Sequence, residues 1–264
     1  MNIKKRAGFT LIELSIVLVI IGLIIGGVLV GRDLIKGAEL RAAVSQMERY
    51  DTAVNIFRNK YSGLPGDFTR AGSFGFYSTD ITPNGNSLLE INPGGGASSP
   101  GYISNEVAVF FRHLTQSGLI SDNIEGGDCL DPFSSGETLA NYFAASKLAP
   151  NTYIIPIAKD GLNYYYLLRG MSVGAGDPGF LDGADAGNTG APDFKPYPAI
   201  PVMSAFQMDS KLDDGIATTG RVVTTDNGVS GTAGADDSCQ TGGVYTTTPD
   251  PELNTCQLRI RTSF

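Results

Sequence analysis

The sequence predicts an α+β protein, in which one very long N-terminal helix precedes a small antiparallel sheet. Three observations carry this. Leu14 to Gly31 is an apolar run of 18 residues without a formal charge. Beyond it, Leu40, Val44, Met47, Tyr50, Val54, Phe57 and Tyr61 recur at spacings of three and four, the period of one helix face. Later segments rich in β-branched and aromatic residues, separated by Gly and Asp, have the character of short strands. The 264 residues suffice for one large domain or two small ones.

The apolar run follows a basic start, Lys4, Lys5 and Arg6. As a helix it rises about 27 Å, just enough to cross a hydrocarbon core. Basic residues ahead of a span keep its N-terminus cytoplasmic, which puts the rest of the chain outside. A cleaved secretory signal has a shorter apolar core and a small-residue cleavage site, and neither is found cleanly here. A plain anchor leaves Glu13 unexplained, because a carboxylate within an apolar segment costs roughly 2.5–3.5 kcal/mol on insertion scales. Gly22, Gly26, Gly27 and Gly31 form two G-x-x-x-G pairs. They suit close helix packing or a stretch that can unwind, and equally the ordinary abundance of glycine in membrane helices.

From Arg32 the helix is expected to continue as an amphipathic rod. The apolar stripe is core for a head, and Arg41, Glu48, Arg49, Asp51 and Arg58 between its members form the expected solvated face. Ser62-Gly63-Leu64-Pro65-Gly66 stops the helix. A helix from Phe9 to Tyr61 has 53 residues and spans about 80 Å, more than any compact domain needs.

The head starts at Gly63. Gly72 to Gly101 is Gly-rich and is expected to be a surface excursion. Glu106 to Leu119 suggests a short helix with Gly118 near its end, and it carries His113, the only histidine. With no nucleophile motif beside it, His113 is assigned a structural or exposed role. Thr152–Ala158 and Leu162–Arg169 are expected strands joined by an Asp160-Gly161 turn, with Pro156 marking an edge or a bulge. Val202–Leu212 suggests a helix, and Gly220–Thr225 and Thr255–Arg261 further strands. The chain therefore divides into 1–8, a leader; 9–31, a membrane helix; 32–62, its amphipathic second half; and 63–264, a head.

Composition narrows function. Acidic residues outnumber basic ones 27 to 19, for a net charge of −8, which argues against nucleic acid as a partner. One histidine excludes a His-rich metal site, and three cysteines exclude a four-thiolate cluster. No nucleophile–base–orienter set is recognisable, so an enzyme is not expected.

Lys5 to Leu14, KRAGFTLIEL, resembles the processing site of type IV pilins and type II secretion pseudopilins. The resemblance implies a pilin-like fold, with the sheet packed on the second half of the helix. It makes Gly8 the last leader residue and Phe9 the first mature one, N-methylated after cleavage. Glu13 becomes the fifth mature residue, which in that family attracts the N-terminal amine of a neighbouring subunit. Opposite charges in lipid do stabilise each other far more than in water. The implied partners are a prepilin peptidase, other pilin or pseudopilin subunits and an assembly platform in the bacterial inner membrane. The implied location is a single-pass membrane precursor with its head in the periplasm or on an extracellular filament. Many pilins carry a proline midway along the span, and this one has none. Loss of the leader leaves 16 basic against 27 acidic residues, or −11.

Under that topology Cys129, Cys239 and Cys256 lie in an oxidising compartment. Many pilins close a C-terminal loop with a disulfide, and Cys239 with Cys256 looks like that loop, worth roughly 3 kcal/mol. Pairing of Cys129 with either remains open. Some pseudopilins hold calcium in a loop of the head, which makes Asp213, Asp214, Asp236 and Asp237 the metal candidates. The stretch is no EF-hand, since Lys211 fills a ligand slot and no Glu follows at the twelfth position. Turn and capping chemistry is the simpler account of these aspartates, and no other cofactor is expected. A different class of function is a membrane-anchored extracytoplasmic binding protein or adhesin that does not polymerise.

Overall fold

The structure, a computed structural model, describes residues 11–79, 81–90, 103–127, 129–130, 139–169, 200–224, 239–246, 255–256 and 258–264. Helix α1 (Leu11–Tyr61) leads. A 3-10 turn (Ala71–Phe74), β1 (Ile103–Ser104), α2 (Asn105–Gln116), β2 (Cys129–Leu130) and α3 (Leu139–Tyr142) follow. Then come β3 (Ala144–Ala145), β4 (Thr152–Lys159), β5 (Leu162–Arg169), β6 (Ile200–Pro201) and α4 (Val202–Leu212). The last elements are β7 (Val222–Thr224), β8 (Gln240–Thr241), β9 (Val244–Tyr245), β10 (Thr255–Cys256) and β11 (Leu258–Arg261). The fold is α+β: a long apolar N-terminal helix, then a small antiparallel sheet.

That sheet has five strands in the order β3-β4-β5-β11-β7, each pair antiparallel. Its centre is the β4–β5 hairpin, paired from Thr152↔Arg169 to Lys159↔Leu162. Asp160 and Gly161 both take positive φ, 53° and 76°, as a tight turn matching the strand twist requires. Pro156 lies beyond the short reach of β3, which pairs only with Tyr153 and Ile154, so its missing N–H costs the ladder nothing. The expected strand Thr255–Arg261 divides: β10 pairs with β6, and β11 inserts between β5 and β7.

The end of α1 is set by two residues with different tasks. Ser62 adopts the left-handed conformation (φ 56°), and its N–H returns to the Arg58 carbonyl. Gly63 leaves room for the Phe68 ring, which a Cβ there would strike. Helix α2 closes with Gly118 at φ 69°, while the Leu119 and Gly118 N–H groups bond the Leu114 and Thr115 carbonyls, a Schellman arrangement.

One core joins these elements. From α1 it takes Leu40, Met47, Tyr50, Val54 and Phe57, all buried, whereas Val44 and Tyr61 are half-buried at its rim. Phe57 is fully enclosed by rings: Phe68 lies at 5.7 Å, Phe76 at 5.5 Å and Tyr61 at 4.6 Å between centroids. Asp51 departs from its expected place. It is buried, not solvated, because it sits where the stripe meets β5 and the C-terminal strand.

Candidate functional site

The N-terminal part of α1 has no core of its own. Every residue from Leu11 to Val30 is exposed, although nearly all are apolar, and an 18-residue window reaches a mean hydropathy of 2.9. By length and composition the helix can cross a membrane. A Cβ added at Gly22, Gly26, Gly27 or Gly31 would meet no atom within 4 Å. Among the described residues, then, these glycines pack against nothing. Glu13 is in the first turn of α1, where a carboxylate suits the helix N-terminus, and its side chain lies among exposed Leu and Ile. Gly8 and Phe9 lie outside the described residues.

The junction of helix and head is a set of partly buried polar contacts that the sequence did not reveal. Asp51 Oδ2 accepts the Ser263 N–H at 3.2 Å and meets the Arg221 guanidinium at 3.4 Å. Arg221 Nε in turn donates to the Arg261 carbonyl at 3.0 Å. Burial raises the Asp51 carboxyl above the usual range, against the opposing pull of Ser263 and Arg221. Tyr165 on β5 is enclosed beside it. Its hydroxyl and Asp51 Oδ1 interact electrostatically, yet neither atom has a hydrogen-bond partner of good geometry. Gln46, one turn earlier, donates to the Ala145 carbonyl at 2.7 Å and accepts the Lys147 N–H at 3.0 Å, fastening α1 to β3.

His113 is fully buried. Its Nδ1 accepts the Gly66 N–H at 3.0 Å, so Nε2 carries the proton and donates to the Tyr77 carbonyl at 2.8 Å. Burial drives its pKa down to about 4. A neutral ring with both nitrogens engaged is a polar strut between loop and helix, and has no lone pair left for proton transfer.

At the C-terminal end of the head, Cys239 and Cys256 form a disulfide, Cα to Cα 5.2 Å, across 17 residues. Cys129 lies on β2, opposite Ser104 of β1. Near the disulfide, carboxylate oxygens of Asp209, Asp213 and Asp214 fall within 4.8 Å of one another. Asp209 was not among the expected metal candidates, while Asp236 and Asp237 lie outside the described residues. The three carboxylates already have tasks. Asp209 accepts from the Tyr245 hydroxyl at 2.8 Å and the Gly215 N–H at 3.2 Å. Asp214 accepts from the Ile216 N–H and the Thr219 hydroxyl, both at 2.8 Å, which holds its pKa below the usual value. Asp213 accepts the Arg221 N–H. This is the chemistry of turns, and it orders the link from α4 to β7.

A long helix, apolar and exposed in its first half and packed under an α+β head in its second, is consistent with a class of protein anchored in a membrane through one N-terminal helix. The family model of the prokaryotic N-terminal methylation motif matches residues 3–29. That match supports a type IV pilin- or pseudopilin-like protein. No curated protein and no solved structure matches the chain with significance.

Proposed function

We propose that this chain is a structural subunit of a type IV pilus-like or type II secretion pseudopilus filament. It is made as a precursor in the bacterial inner membrane, with its N-terminus cytoplasmic. A prepilin peptidase cuts between Gly8 and Phe9 and the new amine of Phe9 is methylated. Glu13 then draws in the amine of a neighbouring subunit while both are in lipid, where each charge alone is costly. The head, −12 by formal count (10 basic and 22 acidic residues from Ser62 onward), stays outside the cytoplasm and performs no catalysis. It needs no cofactor for this role.

One observation supports this reading above the others: the methylation motif at residues 3–29 covers the start of a helix whose first half, Leu11 to Val30, is exposed throughout among the described residues. An anchor alone needs the span; it does not need a carboxylate in its first turn. The test has two parts. Sequencing of the mature N-terminus is expected to begin at Phe9, and a start elsewhere defeats the processing scheme. Glu13→Ala is expected to leave processing intact and to reduce incorporation into filaments at least tenfold; normal assembly of this variant removes the assigned role of Glu13.

A further inference from the structure

A cavity of about 800 Å³, open to solvent, lies at one end of the five-stranded sheet, away from the assembly segment. Its walls are Leu162 at the start of β5, Gly220 and Arg221 ahead of β7, and the chain from Arg261 at the end of β11 to Phe264. Among the described residues no acidic side chain lines it, and two arginines do. That is unusual company in a head with 22 acidic and 10 basic residues.

Backbone bonds hold the walls in place. The Thr262 N–H and hydroxyl both donate to the Asn163 carbonyl, each at 3.1 Å. The Arg261 N–H donates to the Arg221 carbonyl at 2.8 Å, and Arg221 Nε returns a bond to the Arg261 carbonyl at 3.0 Å. Gly220 takes φ 82°, and a Cβ there would strike the Asp213 carboxylate, which accepts the Arg221 N–H.

The charges on these walls are only partly matched. Arg221 Nη2 meets Asp51 Oδ2 at 3.4 Å, a contact that Asp51 shares with the Ser263 N–H. The rest of the Arg221 guanidinium has no partner among the described residues. Arg261 is exposed, and its side chain makes no ion pair or hydrogen bond among them. Two half-buried apolar groups complete the lining. One is Leu162; the other is Phe264, whose ring is fixed against Phe110 at 6.0 Å and Tyr165 at 5.9 Å between centroids.

We propose that this cavity binds a carboxylate carried on an apolar group, either a free organic acid or an acidic residue of a peptide. A guanidinium is a planar fork that matches a carboxylate. Arg221 is held by Asp51 and the Arg261 carbonyl, so it loses little freedom on binding. Arg261 supplies the second positive charge, and Leu162 with Phe264 receives the apolar part. The volume falls in the range of roughly 300–1,000 Å³ that takes a drug-sized ligand, which a bare inorganic anion would leave mostly unfilled. A cation is opposed by both arginines, and a wholly apolar ligand would desolvate them without compensation.

The test titrates the full chain in detergent micelles by calorimetry, with empty micelles subtracted. The probes are 3-phenylpropionate for a free acid and acetyl-Phe-Glu-amide for a peptide, and the tighter of the two identifies the source. Their neutral counterparts, 3-phenylpropanamide and acetyl-Phe-Gln-amide, are expected to bind at least tenfold more weakly, and so is inorganic phosphate. Arg261→Gln is expected to weaken the better acid at least tenfold. Lys147→Gln removes the same charge from an exposed position beyond the opposite edge strand, β3, and should change binding less than twofold. The proposal is overturned if neither acid binds in the millimolar range, if a neutral counterpart or phosphate binds as well, or if Arg261→Gln binds unchanged. The fold uses Arg261 through its backbone, so the variant should fold; if it does not, the comparison of charged with neutral probes on the unaltered protein decides.

Discussion

The two halves of α1 are one continuous helix built on opposite principles. From Leu11 to Val30 the side chains are almost uniformly apolar, all exposed, with no polar face. From Leu40 to Phe57 the apolar residues are fewer and most lie on one stripe, which is buried apart from Val44 at its rim, while Ile56 stays exposed. A helix that is apolar all round has no preferred side to give a single folded head; it suits an environment that is apolar all round, such as lipid or a bundle of similar helices. A striped helix specifies one direction of packing. Periodicity, more than hydrophobicity, therefore decided which half belongs to the globular unit.

The largest effect that would sharpen this contrast is a matched pair of truncations. Phe57→Ala removes a ring enclosed by Phe68, Phe76, Tyr61 and His113, and is expected to cost about 3–5 kcal/mol in thermal or denaturant unfolding of the head. Leu18→Ala, in the bare half, is expected to change the same transition by less than ~0.5 kcal/mol. A large loss at Leu18 would mean that the first half also packs on the head, and the contrast would fail.

Next is the acid response of the polar strut on α2 that lies against the buried half at Phe57. His113 has a folded-state pKa of about 4, below its ordinary value of 6.5. Between these the unfolded chain binds the extra proton, so stability present above pH ~6.5 is lost as pH falls towards ~4, by up to about 3 kcal/mol. The raised Asp51 and Glu106 carboxyls act with the opposite sign, gaining stability as pH falls. His113→Gln keeps one acceptor for Gly66 and one donor for Tyr77. It is expected to remove the destabilising acid limb and so expose the opposing one, seen as a melting temperature that rises on acidification towards pH ~5. An unchanged acid limb in this variant would assign it to other groups.

The smallest of the three concerns the polar node where α1 meets the sheet. Asp51→Asn keeps the shape but removes the charge facing Arg221. Because Arg221 is about a third exposed, screening limits the loss to about 1–2 kcal/mol. The loss should shrink at high salt, measured by urea unfolding at two ionic strengths. A salt-independent loss would show that the Ser263 bond, and not the ion pair, carries the contact.

Much of this architecture was legible in residue order. The apolar run, the stripe, the Asp160-Gly161 hairpin and the helix at Val202–Leu212 all rest on local signals, since period and turn chemistry act over a few residues. The divided Thr255–Arg261 segment was not legible. The two short strands pair with different partners, β6 and β5/β7, and nothing local says so. Asp51 was misread for a related reason. Its position borders the stripe, and only the arrival of Ser263 and Arg221, some 170 to 212 residues away, turns that border into interior. His113 carried no motif, so its strut role emerges only from Gly66 and Tyr77, held against it by the loop after α1. The acidic cluster was local and visible, since Asp209, Asp213 and Asp214 follow one another within a single turn and its exit; only the bond from Tyr245 of the β8–β9 hairpin to Asp209 comes from a distance.

What the sequence determined by itself is the long helix, the change of character along it and the methylation motif with Glu13 five residues past Gly8. These depend on spacing along one continuous element, which chain order preserves. The tertiary structure alone decided which charges became interior: Asp51 against Tyr165 and Arg221, and Glu106 against Asp67. Burial is a property of what converges from distant parts of the chain, and it is burial that lifts a carboxyl above its ordinary range.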